Sequence, residues 1–193
     1  ALSDAVLRYS RDVRIGRVRP GDIYEDVELP TSGFDAVAGL NRALGNGAVA
    51  RYLANLPPYH AAYRALAEAL VRYRGIAGRG GWPVIPAQTE IKFGKKDARL
   101  DLLVERLSFE DPVLAANSRH SSADILAAIK RYQARNGIPE DGRAGTDTLT
   151  ALNVPAAYRA AQIAANMERW RWMPAQMEPR YVAVNVPDQS LAY

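Results

Sequence analysis

Several residue types and patterns that define whole classes of protein are missing from this chain of 193 residues. It contains no cysteine, which excludes disulfide-stapled folds, thiolate metal sites and cysteine nucleophiles within the chain. Its two histidines, His60 and His120, show no His-Glu-x-x-His spacing, so the sequence predicts no metal site and no other cofactor. No apolar run reaches the roughly 18 residues that a membrane-spanning helix needs.

Charges of both signs are scattered along the chain. Lysine and arginine total 25 against 21 acidic residues, which gives a net charge of +4 and a pI near 9.4. No block of five like charges occurs. A mildly basic chain suits an anionic partner, which could be a nucleic acid, a membrane surface or an anionic cell-wall polymer. The charge alone does not choose among them.

Apolar residues recur at spacings of three and four over most of the chain, which predicts a mainly α-helical fold. Ser3 or Asp4 is expected to cap the first helix, and Gly16 to stop it. The predicted helices are 4–15, 34–44, 48–56, 63–77, 100–107, 122–136, 146–152 and 155–173.

The last residues have a different character. Residues 181–186 are rich in β-branched side chains and predict a strand, 187–189 a turn, and 190–193 the start of a second strand. A two-stranded hairpin is marginal alone, so the pattern suggests a chain that stops inside a larger sheet. We therefore expect this tail to be poorly ordered or paired with the same strand of a second copy.

One segment carries a dense set of positions in a fixed order. Residues 129–138 read Ile-Lys-Arg-Tyr-Gln-Ala-Arg-Asn-Gly-Ile, and 141–153 read Asp-Gly-Arg-Ala-Gly-Thr-Asp-Thr-Leu-Thr-Ala-Leu-Asn. A helix ending in aromatic-Gln, a glycine, an Asp-Gly turn, Gly-x-x-Thr and Ala-Leu-Asn follow one another. The segment resembles the common peptidoglycan-binding domain. The resemblance implies peptidoglycan as a partner and a periplasmic or other cell-envelope location.

The flanking residues carry a second resemblance, which extends over essentially the whole chain. Six segments are similar to the long L,D-transpeptidases, namely 9–12, 16–18, 63–66, 80–86, 166–174 and 181–187. In that family the catalytic domain cross-links stem peptides through a cysteine thioester, with a histidine as base. The thioester motif is missing here, so the resemblance implies the non-catalytic front portion of such an enzyme. The missing catalytic domain would then be a partner within the same polypeptide, and we expect no catalytic residues and no turnover in this chain.

Together the two resemblances imply that the chain has four parts. A helical scaffold occupies 1–88, and a peptidoglycan-binding module of three helices occupies 89–154. A helix at 155–178 returns to the scaffold, and 179–193 form the first strands of a truncated catalytic domain. The apolar stripe on 155–173 needs a partner, so we expect the module to be inserted into the scaffold, with this helix packed on the N-terminal helices.

Five polar residues form the candidate peptidoglycan-binding site: Gln133, Arg143, Thr146, Asp147 and Thr148. The last four lie in the turn at 138–145 or at the start of the helix that follows it. Free backbone N–H groups at a helix start attract carboxylates, and peptidoglycan stem peptides end in carboxylates. Gln133 also suits hydrogen bonds to the backbone of the turn, because the polar groups of that turn need partners.

Two other functions fit parts of the sequence. A free-standing envelope adaptor would carry the same module without a catalytic domain, although the ending inside a hairpin argues against it. Helices 122–136 and 146–152 superficially suggest a helix-turn-helix DNA-binding protein. That motif needs a turn of about 3–4 residues, and the turn here is roughly twice as long. Helix 146–152 also carries no base-reading side chain, so no specific nucleic acid is expected as a partner.

Overall fold

Helices dominate the fold, as the hydrophobic spacing predicts. The computed structural model describes residues 1–25, 33–93, 96–174, 183–185 and 190–192. Within these residues the α-helices are α1 (Leu2–Arg14), α2 (Ala36–Gly45), α3 (Val49–Ala54), α4 (Ala61–Gly78), α5 (Leu100–Ser108), α6 (Pro112–Ala115), α7 (Ser122–Arg135), α8 (Thr146–Leu152) and α9 (Ala156–Trp172). A 3-10 turn at Pro20–Asp22 follows α1. The prediction of a mainly α-helical chain is confirmed.

The chain divides into two compact units. The first combines Ala1–Leu70 with Gln162–Tyr193, and the second is Val71–Ala161. The second unit is longer at both ends than the module predicted at 89–154.

In the first unit, α1 begins earlier than predicted. Its N-cap is Ala1 and not Ser3 or Asp4, and Asp4 lies in the first turn, where its carboxylate accepts from the Ala1 amino group at 3.2 Å. The helix stops where predicted, because Gly16 has a φ of +93°, a left-handed conformation that favours glycine. A Cβ at Gly16 would also come within 2.5 Å of the Glu168 carboxylate. The chain therefore turns sharply after α1 and lies close against α9.

The last two turns of α9 bind the segment that follows α1. The Glu168 carboxylate accepts hydrogen bonds from the backbone N–H groups of Arg17 and Val18. The Trp172 indole donates to the Val18 carbonyl at 2.8 Å. Arg171 donates to Glu168 at 2.6 Å and to the Tyr63 hydroxyl at 3.0 Å, which adds α4 to the same cluster. The C-terminal half of α9 is thus held by residues from the N-terminal part of the chain.

The second unit has its own apolar core. The buried residues of this core are Ile85, Ile91, Leu103, Leu107, Leu114, Ile125, Ala128, Ile129, Tyr132, Ala144, Leu149 and Leu152. An isolated bridge between Ile91 and Ala144 joins the extended segment before α5 to the loop before α8. Ile85 shows that the segment ahead of residue 89 contributes to the same core.

A short helix that the sequence analysis did not predict lies in this unit. The Asp111 side chain accepts from the Leu114 backbone N–H at 3.0 Å and begins α6, with Pro112 at its first position. Proline suits that position because its missing N–H has no helical partner there. A helix of one turn is too short to show a periodic pattern, so the sequence shows no sign of it.

Two short strands occur near the C-terminus, β1 (Ala183–Asn185) and β2 (Ser190–Ala192). They pair antiparallel, with Val184 opposite Leu191. The strand within 181–186 is confirmed for its described residues, and the turn predicted at 187–189 lies outside them. This pairing uses one edge of β1, and pairing of the tail with a second copy stays a prediction.

Candidate functional site

The loop between α7 and α8 is organised by one buried amide. Gln133 is only 1% exposed, and its Oε1 accepts from the backbone N–H of Gly142 at 2.9 Å. Its Nε2 donates to Asp141 Oδ1 at 2.7 Å and to Thr148 Oγ1 at 3.0 Å, with the Arg143 carbonyl at 3.2 Å. Two amide N–H donors thus face three acceptors, so no donor is left for a ligand. Gln133 therefore stabilises the loop from its buried side, and its bonds to Gly142 and Arg143 are the backbone hydrogen bonds that the sequence predicted.

Thr148 is the second buried member of the predicted site. It is 3% exposed, and its hydroxyl accepts from Gln133. Gly142 closes the loop over α7 with a φ of +73°. A Cβ there would lie 3.1 Å from side-chain atoms of both Leu126 and Lys130, so the close approach needs glycine.

Arg143 is the cationic residue of the loop, and its side chain is 64% exposed. Its Nε and Nη2 donate to the two carboxylate oxygens of Glu90 at 2.8 and 2.7 Å, a bidentate pair. These bonds raise the pKa of the Arg143 guanidinium and hold the pKa of the Glu90 carboxyl below its usual range. Among the described residues Nη1 has no partner. The pair therefore fixes the guanidinium and leaves one of its nitrogens for a ligand.

Thr146 and Asp147 are the remaining predicted site residues, and both are exposed in the first turn of α8. Their helix has Gly145 at the N-cap, which offers no side chain to the free N–H groups. The structure thus divides the five predicted residues into two classes. Arg143, Thr146 and Asp147 lie on the surface within one short stretch, whereas the other two are buried beneath it.

Glu90 joins the candidate site through Arg143, and the sequence did not predict it. It lies 53 positions before Arg143 and belongs to a segment without helical periodicity. Its neighbour Ile91 pairs with Ala144, and that bridge brings the carboxylate to the guanidinium. The sequence shows only an acidic residue, Glu90, next to an apolar one, Ile91. That pattern is common to many exposed strands and does not identify a site residue.

Two family models match parts of the chain. Residues 108–152 match the putative peptidoglycan binding domain. That range holds α6, α7, the loop and α8, and hence all five predicted site residues. Residues 1–70 match a scaffold domain, and no curated protein matches the chain. The peptidoglycan-binding domain supports a peptidoglycan-binding role, peptidoglycan as a partner and a place in the cell envelope.

Two other kinds of feature are absent from the described residues. No helix in this part of the chain combines the length and the apolar character needed to cross a membrane. No group of three or more His, Cys, Asp or Glu side chains there is arranged to hold a metal ion.

A buried ion pair lies at the start of the peptidoglycan-binding domain. Arg106 is 0% exposed and donates to the Leu152 carbonyl and to Glu110 Oε2, both at 2.7 Å. The Tyr73 hydroxyl donates to the other oxygen of Glu110. Burial, and then the bond to Glu110, raise the pKa of Tyr73 to about 12. The guanidinium carbon also lies 3.6 Å from the centre of the Trp82 ring, a cation–π contact.

This buried network has a structural role. Its hydrogen bonds all run between parts of the second unit, and one of them satisfies the Leu152 carbonyl at the end of α8. Perturbed groups often mark catalytic sites, but buried ion pairs that hold helices together perturb pKa values in the same way. The sequence pattern showed Arg106 and Glu110 four residues apart on α5 and its extension.

Asp111 should make the stability of the domain depend on pH. It is 1% exposed; burial alone would raise its pKa, but hydrogen bonds from Arg131 Nε at 2.8 Å and the Leu114 N–H outweigh burial and lower it. Because the pKa is lower in the folded state, the Asp111 carboxylate stabilises that state fully at pH values above the unfolded pKa of about 3.9. This contribution is lost as the pH falls through the lower pKa of the folded state. We expect Asp111→Asn, which keeps the helix cap, to destabilise the domain at pH 7 and to match the wild type in strong acid.

Urea unfolding at a series of pH values measures this dependence. Arg131→Gln is the matched control, because it removes the same ion pair from its other side. In that background, Asp111→Asn should show a much smaller pH-dependent difference. A difference between wild type and Asp111→Asn that stays constant from neutral to acid pH would contradict the assignment.

Proposed function

We propose that this chain is the scaffold and peptidoglycan-binding portion of a periplasmic L,D-transpeptidase, and that it contributes binding rather than catalysis. The observation that carries the proposal is the match of residues 108–152 to the peptidoglycan-binding domain. The scaffold match at 1–70 and the resemblance of segments such as 80–86 and 166–174 to long L,D-transpeptidases support the same assignment. In this role the chain holds stem peptides near a catalytic domain of the same polypeptide.

The proposal includes an inserted arrangement, with the module at 89–154 between two parts of the scaffold. The scaffold match ends at residue 70, and the binding-domain match follows at 108–152. Beyond that match, Glu168, Arg171 and Trp172 bind residues from the scaffold region again. These contacts support a helix that returns to the scaffold after the module.

We assign the ligand contacts to the exposed residues of the loop. Arg143 is held by Glu90 and keeps Nη1 for a stem-peptide carboxylate, which is a charge-assisted bond. Thr146 and Asp147 add a hydroxyl donor and a carboxylate acceptor for peptide N–H groups or sugar hydroxyls. Gln133 and Thr148 position this surface without touching the ligand.

Sedimentation of the full chain with purified sacculi tests the proposal. We expect binding in the micromolar range or weaker, because the contact surface of one small loop is limited. Arg143→Gln should weaken retention about tenfold, as expected for loss of a charged hydrogen bond. Arg119→Gln removes the same charge from another exposed position of the unit and should leave retention unchanged.

Each alternative result has a definite meaning. Retention on DNA without retention on sacculi would favour the nucleic-acid function and end the peptidoglycan proposal. If Arg143→Gln and the wild type are retained equally, the ligand contacts lie outside the loop, and the binding role itself still stands.

A further inference from the structure

The helical pair α2–α3 in the first unit encloses an open hollow of about 680 Å³. We call it the scaffold hollow, and its lining includes Asp35, Gly39, Arg42, Asn46, Arg51, Tyr52 and Asn55. Both arginines and both asparagines are exposed, and Tyr52 is half-buried. The hollow belongs to the scaffold match and has no part in the peptidoglycan-binding domain.

The aromatic ring in the scaffold hollow is fixed in place. The Tyr52 hydroxyl donates to the Ala36 carbonyl at 3.3 Å, which ties α3 to the start of α2. The ring lies against Gly39, where a Cβ would be only 2.8 Å from Cε2. Any larger residue at that position would push the ring away from α2. The helical pair is thus built to hold one flat aromatic surface in the hollow.

Two arginines and one carboxylate line the hollow, so the described lining carries a net positive charge. Within the described ranges, neither Arg42 nor Arg51 has an ion-pair or hydrogen-bond partner. Asp35 is the acidic residue of the lining, and its Oδ1 already accepts the N–H groups of Val37 and Ala38 as the cap of α2. Among the described residues, the hollow therefore presents two guanidinium groups without ion-pair partners beside an aromatic ring and two carboxamides.

This set of groups suits a ligand that carries both carboxylates and amides. Guanidinium groups bind carboxylates through paired N–H donors, and their planar shape favours that geometry over a point charge. The Asn46 and Asn55 carboxamides can each donate to a peptide carbonyl and accept from a peptide N–H. The Tyr52 ring supplies apolar contact, as in concave sites that combine an apolar surface with a few polar groups. A short peptide with free carboxylates meets all three requirements.

We propose that the scaffold hollow is a second binding site for peptidoglycan stem peptides, recognising their free carboxylates through Arg42 and Arg51. The proposal rests on the function proposed above, because the peptidoglycan-binding domain brings the same polymer to this chain. Two weak sites on one chain raise the overall affinity for a polymeric ligand well above either site alone. The scaffold would then bind the cell wall itself as well as carry the binding domain.

Residue-resolved titration of the full chain tests this site apart from the loop at 141–148. The probes are an N-acetylated stem tetrapeptide and the same peptide with every carboxylate converted to a carboxamide. Backbone amide signals of Gly39, Asn46 and Asn55 report on the hollow. We expect the free-acid peptide to shift them in a saturable way, and the amidated peptide to bind at least about tenfold more weakly.

Two double variants each remove two positive charges, one pair inside the hollow and one pair outside it. Arg42→Gln with Arg51→Gln should weaken the hollow signals at least about tenfold, since two charged hydrogen bonds are lost. Arg8→Gln with Arg11→Gln, on exposed positions of α1, should leave the affinity unchanged. All four positions are exposed, so we expect every variant to fold.

Three results would overturn the inference. The first is that the hollow signals do not move, or that the Arg42 and Arg51 variant binds as the wild type does. The second is equal binding of the amidated peptide. The third is equal binding of an acidic peptide of L-amino acids with the same charge, which would remove the stem peptide as the specific ligand. If the chain binds sacculi but the amide signals of the hollow do not shift, this inference alone is refuted. If the chain does not bind sacculi, the proposed function is refuted.

Discussion

Replacement of Arg106 by methionine should destabilise the second unit by about 3–5 kcal/mol, the range found when one partner of a buried ion pair is removed. The substitution leaves the Glu110 carboxylate without its cation and the Leu152 carbonyl without its donor. It also removes the guanidinium from the face of the Trp82 ring. Methionine fills much of the same volume, so the lost polar bonds and not a cavity dominate the effect.

Urea unfolding and amide hydrogen exchange measure this loss, with the largest loss of protection expected in α5, α7 and α8. Removal of the whole network gives the control. Arg106→Met with Glu110→Leu and Tyr73→Phe replaces every charged or hydroxyl group by an apolar one of similar size. Such replacements are often neutral, so the triple variant should recover most of the stability. If Arg106→Met alone unfolds at the same urea concentration as the wild type, the network is not structural.

Replacement of Gln133 by leucine should destabilise the peptidoglycan-binding domain by about 2–4 kcal/mol, since unsatisfied buried polar groups cost about 1–3 kcal/mol each. The Gly142 N–H and the Thr148 hydroxyl both lose their partner inside the domain. The exposed loop residues also lose the support beneath them. We therefore expect sacculus binding to fall at temperatures where the variant remains folded.

Gln133→Glu is an informative companion to this variant. The introduced carboxylate can still accept from Gly142, but it faces the Asp141 carboxylate and the Arg143 carbonyl instead of donating to them. This arrangement raises the pKa of the introduced group in the folded state. A raised folded pKa means that the variant gains stability as the pH falls through it. Thermal unfolding at several pH values checks this, and Gln133→Leu should show no such gain.

The sequence predicted best where several local signals agree. The helix α7 has an apolar stripe, and Ser121 and Asp124 form a reciprocal cap at its start. Gly137 and the Asp-Gly turn then mark the loop, and Gly137 and Gly142 both have positive φ. Each signal lies within a few residues of the structure that it specifies. Local patterns therefore placed α7, the loop and α8 correctly.

The sequence predicted poorly where a residue's role depends on distant partners. An arginine on a helix is usually exposed, so nothing near Arg106 indicated that its guanidinium would be buried against Trp82. Glu90 is fixed by a pairing partner 53 residues away. The Trp172 indole donates to the carbonyl of Val18, which lies 154 residues earlier in the chain. Such contacts follow from the tertiary fold and have no local sequence signal.

The two ends of the segment 82–154 meet in space. The Asn153 side chain accepts from the Ile85 N–H at 2.8 Å and donates to the Ile85 carbonyl at 2.7 Å, and the Trp82 indole donates to the Val154 carbonyl. A segment closed in this way needs only two adjacent attachment points in any host chain. Recombination could therefore move it between proteins as a cassette, and circular permutation with new termini in the exposed stretch near Ser118 should preserve its core.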